Sequence, residues 1–215
     1  MQHYGRPTWL AALERGTHGC FFYTTTGEFL EIAVPVLKEG LVETQERCLW
    51  IVPPRLSIRR AVDVLSESIK LDVQFYIDNK KLLLLPRENW FPDSKIPFDG
   101  EAIIRRGKLL LEETYELGYE GLRIVNHSIS SNSPHWKKYL SFMENLDKRL
   151  DDKPITFLCA FSVRETPVDD LGFIAQSHTF SLIRHADQWH VVQLEKSSLT
   201  HSKIELTFTD LIQKI

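Results

Sequence analysis

The sequence predicts an α/β fold: a mostly parallel central sheet with helices on both faces, and a C-terminal strand pair. Three observations predict it. Short runs such as Cys48-Leu49-Trp50-Ile51-Val52 are apolar at every position, as expected of a parallel strand covered on both sides. Between such runs lie segments with apolar residues at helical spacing. Capping residues, glycine and proline punctuate the boundaries. Strands separated by helix-length connections favour parallel pairing.

Taken in order, Thr8 to Arg15 predicts a short helix closed by Gly16. Gly19 to Thr24 is the first strand. Thr25 and Glu28 have the spacing of a capping box. The helix they open carries Phe29, Leu30, Ile32, Ala33, Val36, Leu37 and Leu41 on one face, and Pro35 predicts a kink or early break. Cys48 to Val52 is the second strand, stopped by Pro53-Pro54, and Leu56 to Ile69 the second helix. Val73 to Tyr76 and Lys81 to Leu85 read as extended pieces, and Pro86 to Pro97 as a loop. Asp99 caps a helix that reaches Leu117 and ends at Gly118. Gly121 to Asn126 is a strand. Ser133-Pro134 starts a helix running to about Leu150. Ile155 to Phe161 is a strand and Val168 to Gln176 a short helix. His178 to Ile183 and Trp189 to Leu194 form the strand pair around a turn at His185 to Gln188, and Thr207 to Ile215 a closing helix.

The chain has 215 residues, 43% hydrophobic and 26% charged, with net charge -3. The length favours one domain over residues 1–215. The acidic balance argues against direct nucleic-acid binding. No apolar run has the length of a membrane span, and no signal-peptide core precedes the first element, so a cytoplasmic location is expected. Cys20, Cys48 and Cys159 sit singly in strand-like runs and read as buried, reduced thiols.

The first strand, turn and helix have the layout of a phosphate-binding loop without its chemistry. A working loop needs glycines to wrap the anion, a lysine for charge and a hydroxyl for magnesium. Here a single glycine remains, no lysine follows, and Glu28 brings a negative charge. ATPase activity is therefore not expected. No Gly-x-Ser-x-Gly elbow, Cys/His pair or other catalytic set is present. His178, His185 and His190 have no shared-face spacing, so neither a metal nor a cofactor is expected.

Ligands of open α/β sheets bind beyond the C-terminal strand ends. This nominates Tyr23, Thr24, Thr25, Thr26 and Glu28 after the first strand, and Pro53, Pro54 and Arg55 after the second. It adds Asn126, His127, Ser128 and Ser130, and then Ser162, Arg164 and Glu165. Capping alone explains Thr25 and Glu28, a turn explains Asn126, and His18 stands at the other end of its strand.

The chain resembles the MEDS domain, a sensory domain named for methanogen and methylotroph regulators. The resemblance rests on His18-Gly19-Cys20-Phe21-Phe22-Tyr23, Gly40-Leu41, Arg47 to Val52, Gly118-Tyr119 with Gly121-Leu122-Arg123, Trp136 with Glu144-Asn145-Leu146, Leu158 to Phe161, and His178. It spans about residues 16 to 185, leaving the strand pair and closing helix over 186–215. The chain departs from the pattern at Met143-Glu144, where the family carries Tyr-Glu. It departs again at Asn126-His127-Ser128-Ile129, where an acidic residue and a tryptophan are usual. The resemblance implies a three-layer RecA/KaiC-like sandwich with a degenerate phosphate loop. It adds His18, Arg123 and Trp136 to the candidate ligand-binding set. It implies a non-catalytic sensor of a small organic ligand, such as a simple hydrocarbon derivative, signalling through a protein partner or through self-association as a homo-oligomer. Two alternatives stand beside it: residual nucleotide binding at the Thr25 to Glu28 helix start, and a protein-interaction module using the sheet edge and the Trp90-Phe91 loop.

Overall fold

The computed structural model describes residues 8–91, 96–150 and 153–192. Over these residues the chain forms a seven-stranded sheet in the order β3-β2-β4-β5-β1-β6-β7. The strands are β1 (His18–Tyr23), β2 (Glu46–Val52), β3 (Leu82–Pro86), β4 (Gly121–His127), β5 (Ile155–Ser162), β6 (Phe180–His185) and β7 (Gln188–Val192). All neighbours pair parallel except β6 and β7, the antiparallel C-terminal pair. The predicted fold class is the observed one. No helix among the described residues is long and apolar enough to cross a membrane.

Two layers of helix cover the sheet. On one face α1 (Thr26–Lys38), α2 (Ile58–Ile69) and α3 (Val73–Asp78) pack on Phe21, Trp50, Val125, Leu158 and Phe180. On the other, α5 (Gly100–Glu116), α6 (Trp136–Glu144), α7 (Leu146–Leu150) and α8 (Val168–Gln176) pack on Cys20, Leu49, Ile124, Phe157 and Cys159. Successive strand residues point to opposite faces, so a strand covered on both sides is buried at every position, and its polar residues must find partners, as Arg123 does in Glu46. The uniform burial of β2, β4 and β5 is the result.

Boundaries follow side-chain caps. Thr25 Oγ1 accepts from the Glu28 amide, Ser57 caps α2, and Asp99 caps α5. Gly118, at φ +83°, ends α5 as expected. Ala186 and Asp187 both take positive φ in the β6–β7 turn, the backbone a two-residue hairpin requires.

Four expectations are corrected. Val73 to Tyr76 belongs to a helix, because Asp72 Oδ1 accepts from the Gln74 amide and starts one. Pro35 does not stop α1, which runs on to Lys38 and then widens into an i→i+5 turn, Glu39–Glu43. The lost bond costs about 3 kcal/mol. Burial of Ile32, Val36 and Leu37 offsets it, at about 1.5–3 kcal/mol each. The helix after Ser133-Pro134 starts two residues later, at Trp136, because Ser133 and Pro134 form a turn. That helix also breaks at Asn145, whose side chain bonds back to the Ser141 carbonyl. Within the predicted loop after Pro86, residues Arg87–Trp90 make one helical turn, α4. The closing helix over Thr207 to Ile215, and the end of the last strand at Leu194, lie outside the described residues.

Candidate functional site at the carboxyl edge of the sheet

A cavity of about 440 Å³ opens where β1, β2, β4 and β5 end. Tyr23, Phe29 and His127 form its floor, and Thr24, Thr26, Pro53, Pro54, Ser130 and Ser162 its walls. Arg55, Arg87 and Arg164, with Glu165, stand around it. The volume suits a small organic molecule, within the usual range of about 300–1,000 Å³.

The floor is a neutral, locked pair. Ser128 offers only a carbonyl to His127 Nδ1, at 2.8 Å, so Nδ1 carries the proton and donates. Nε2 is then the acceptor, and the Tyr23 hydroxyl donates to it at 2.6 Å. Burial pushes the His127 pKa down to about 4, and Arg87 pushes the same way against the Ser128 bond. Burial, aided by Glu165 and opposed by Arg55 and Arg87, raises the Tyr23 phenol above its ordinary value. At neutral pH both groups stay uncharged.

The helix start is occupied from within. The Thr24 amide donates to Glu28 Oε2 at 2.7 Å, and the Thr24 hydroxyl donates to the same carboxylate. Arg184 pairs with Glu28 at 3.3 Å. Burial acts to raise the Glu28 pKa, but the two Thr24 bonds and Arg184 outweigh it and hold the carboxyl below its usual range. An anion at this helix start meets a resident carboxylate. The arginines carry the positive charge of the site instead. Arg55 pairs with Glu165 at 3.3 Å, whereas Arg87 and Arg164 make no ion pair with a described residue.

The structure gathers Tyr23, Thr24, Thr26, His127 and Arg164 of the candidate set around this cavity. The other candidates stand elsewhere. Thr25 is an exposed cap, and Glu28 is tied to Thr24 and Arg184 beside the cavity. Arg123 is buried against Glu46, its Nε donating at 3.0 Å across β4 and β2. The Asn126 side chain points at Cys159 within the sheet-helix core. Trp136 donates to Asp170 at 2.7 Å and ties α6 to α8. His18 opens β1 at the far end from the cavity, with Nε2 3.6 Å from Cys159 Sγ. His18, Arg123 and Asn126 face inward because strand parity and register put them there.

Sequence reasoning missed Phe29, Arg87 and Asn132. Arg87 follows directly on Pro86, the last residue of β3. The strand-end rule finds it once β3 is recognised as a parallel neighbour of β2. Trp90 and Phe91 are buried in the core rather than displayed, so the loop expected to offer an aromatic contact surface does not.

No curated protein matches the chain. A family model described as the "MEthanogen/methylotroph, DcmR Sensory domain" matches residues 17–179, from just before β1 to just before β6. That span holds β1 to β5 and all the residues lining the cavity, and over it the chain belongs to the MEDS family of sensory domains.

Proposed function

We propose that the chain is a non-catalytic sensory module whose ligand is a small organic anion, a carboxylate in the simplest case, held at the carboxyl edge of the sheet. The observation that carries this is the pairing of Arg87 and Arg164, which lack a carboxylate partner among the described residues, with an uncharged aromatic floor. A cationic rim over Tyr23, Phe29 and His127 complements a molecule with one charged end and one apolar end. Binding without turnover is supported by the state of the floor. His127 has both ring nitrogens engaged and a depressed pKa, and Tyr23 remains a phenol. Neither is poised as a base or nucleophile near neutral pH.

The β1–turn–α1 unit supports descent from a RecA/KaiC-like nucleotide fold, with Glu28 now in the place of the anion. Output passes to a protein partner or a second copy. Leu109, Tyr115 and Leu117, standing in solvent along and just after α5, support such a contact.

The test is calorimetric titration with propionate, benzoate and succinate, their neutral amides, and ATP and ADP. The expected outcome is carboxylate binding that Arg87→Gln weakens at least about tenfold, or about 1.4 kcal/mol. Equal binding of the neutral amides, or nucleotide binding lost in Thr26→Ala, sinks the proposal.

A further inference from the structure

We infer that His18, Cys159 and His178 form a binding site for a soft, thiophilic metal ion, Cu(I) or Zn(II), inside the sheet-helix core and apart from the carboxyl-edge cavity. One ligand atom from each of the three side chains lies within 4.8 Å of the other two. All three residues are buried. Nothing in their sequence positions brings them together. His18 opens β1, Cys159 lies in the middle of β5, and His178 sits between α8 and β6. Parallel pairing of β1 with β5 places His18 and Cys159 on one face, and the bend between α8 and β6 brings the His178 ring over His18 and against Phe161. The sequence reading set His178 beside His185 and His190. The fold sets it beside His18, their ring centroids 4.1 Å apart.

The donor set fits such an ion. Thiolate and imidazole select copper and zinc over hard cations, which want oxygen. Bonds of about 2.3 Å to sulfur and about 2.0–2.1 Å to nitrogen place ligand atoms about 3.3–3.8 Å apart. His18 Nε2 and Cys159 Sγ, at 3.6 Å, already meet this spacing. The third ligand atom lies within 4.8 Å of both, so side-chain movement of at most about 1.5 Å brings it into range. His178 Nδ1 meets the Ile174 carbonyl at 2.6 Å. A carbonyl cannot donate, so Nδ1 carries the proton and Nε2 presents the lone pair. This is the outer hydrogen bond that orients a ligating histidine. Phe157 and Phe161 stand edge-on to the two imidazoles and keep the surroundings apolar. On binding, the Cys159 S–H bond breaks, the proton leaves to solvent, and the sulfur electron pair forms the metal bond.

The test uses the full-length chain, refolded under reducing, anaerobic conditions with Zn(II) or with Cu(I) and then dialysed. Metal content per chain is measured by mass spectrometry, affinity by chelator competition, and stability by thermal melting. One ion per chain is expected, with a raised melting temperature in wild type. Cys159→Ser and His178→Gln should each weaken binding at least about 100-fold, while Cys48→Ser, on the opposite face, should retain it. Cobalt(II) should give a thiolate charge-transfer band that Cys159→Ser abolishes. Retention of either ion alone supports the site and identifies its metal. Failure of wild type to retain or be stabilised by either ion overturns it, whether or not the variants fold. So does unchanged affinity in a folded Cys159→Ser.

Discussion

Tyr23 and His127 show how a single contact sets chemical character. The hydrogen bond between them needs an uncharged imidazole, and burial enforces one. Because the folded-state pKa of about 4 lies below the ordinary value of about 6.5, the unfolded chain binds this proton more readily. The stability attributable to His127 is complete above the ordinary imidazole range and is lost as pH falls towards 4. Between pH 7.5 and 5 the loss is about 2 kcal/mol. Urea unfolding at several pH values should show this slope in wild type and a shallower one in His127→Gln. Equal slopes in the two proteins dismiss His127 as the source. The sequence placed His127 and Tyr23 near the site because both end a strand. It could not pair them, since that depends on which strand each one neighbours. Nor did it place every candidate well. Arg123 and Trp136 entered the candidate set through the family resemblance, yet one is neutralised by Glu46 and the other is bound to Asp170.

Elements carry their own constraints, and β1 shows one. Gly19 faces the same layer as Phe21. A Cβ built on Gly19 would stand 2.1 Å from Cζ of Phe180 in the adjacent β6. The missing side chain is what lets the Phe180 ring lie over β1. Gly19→Ala should therefore destabilise by about 1–3 kcal/mol, the ordinary cost of overpacking. Phe180→Leu in the same chain should recover part of that cost, as read from a double-mutant cycle of urea midpoints. Additive effects from the two changes contradict the clash. Element legibility followed the strength of local signals. The long apolar runs and the caps at Thr25 and Asp99 gave β1, β2, β4, β5, α1 and α5 close to their observed limits. The short segment at Val73 misled because four residues hold too little periodicity to separate strand from helix. Its decisive signal was Asp72, a polar residue just outside the apolar run.

At the scale of the molecule, two apolar layers share one sheet. Trp50 lies in the layer under α1 and α2, and Trp136 in the layer under α5 to α8. The same strands contribute alternate residues to both, so neither layer persists once the sheet separates. Variants keeping only Trp50 or only Trp136 should therefore report coincident denaturant midpoints by fluorescence. Separated midpoints point to layers that unfold independently. The shared sheet also sets the two sites apart. The cavity lies at the carboxyl ends of the strands, and the His18–Cys159–His178 cluster lies within the core under the second layer.

The amino-acid order by itself determined the α/β class, most element limits, the lack of a phosphate-loop motif after the first strand and the family to which the chain belongs. Each is local information, written in hydrophobic period, capping spacing and short motifs. Tertiary structure alone decided that β1 lies between β5 and β6 and that β3 lies beside β2. Those neighbours bring Arg87 to the Tyr23–His127 floor and set His18 against Cys159 and His178. Strand order is selected by which layers bury the most apolar surface once distant segments have met, and no window along the chain holds that sum.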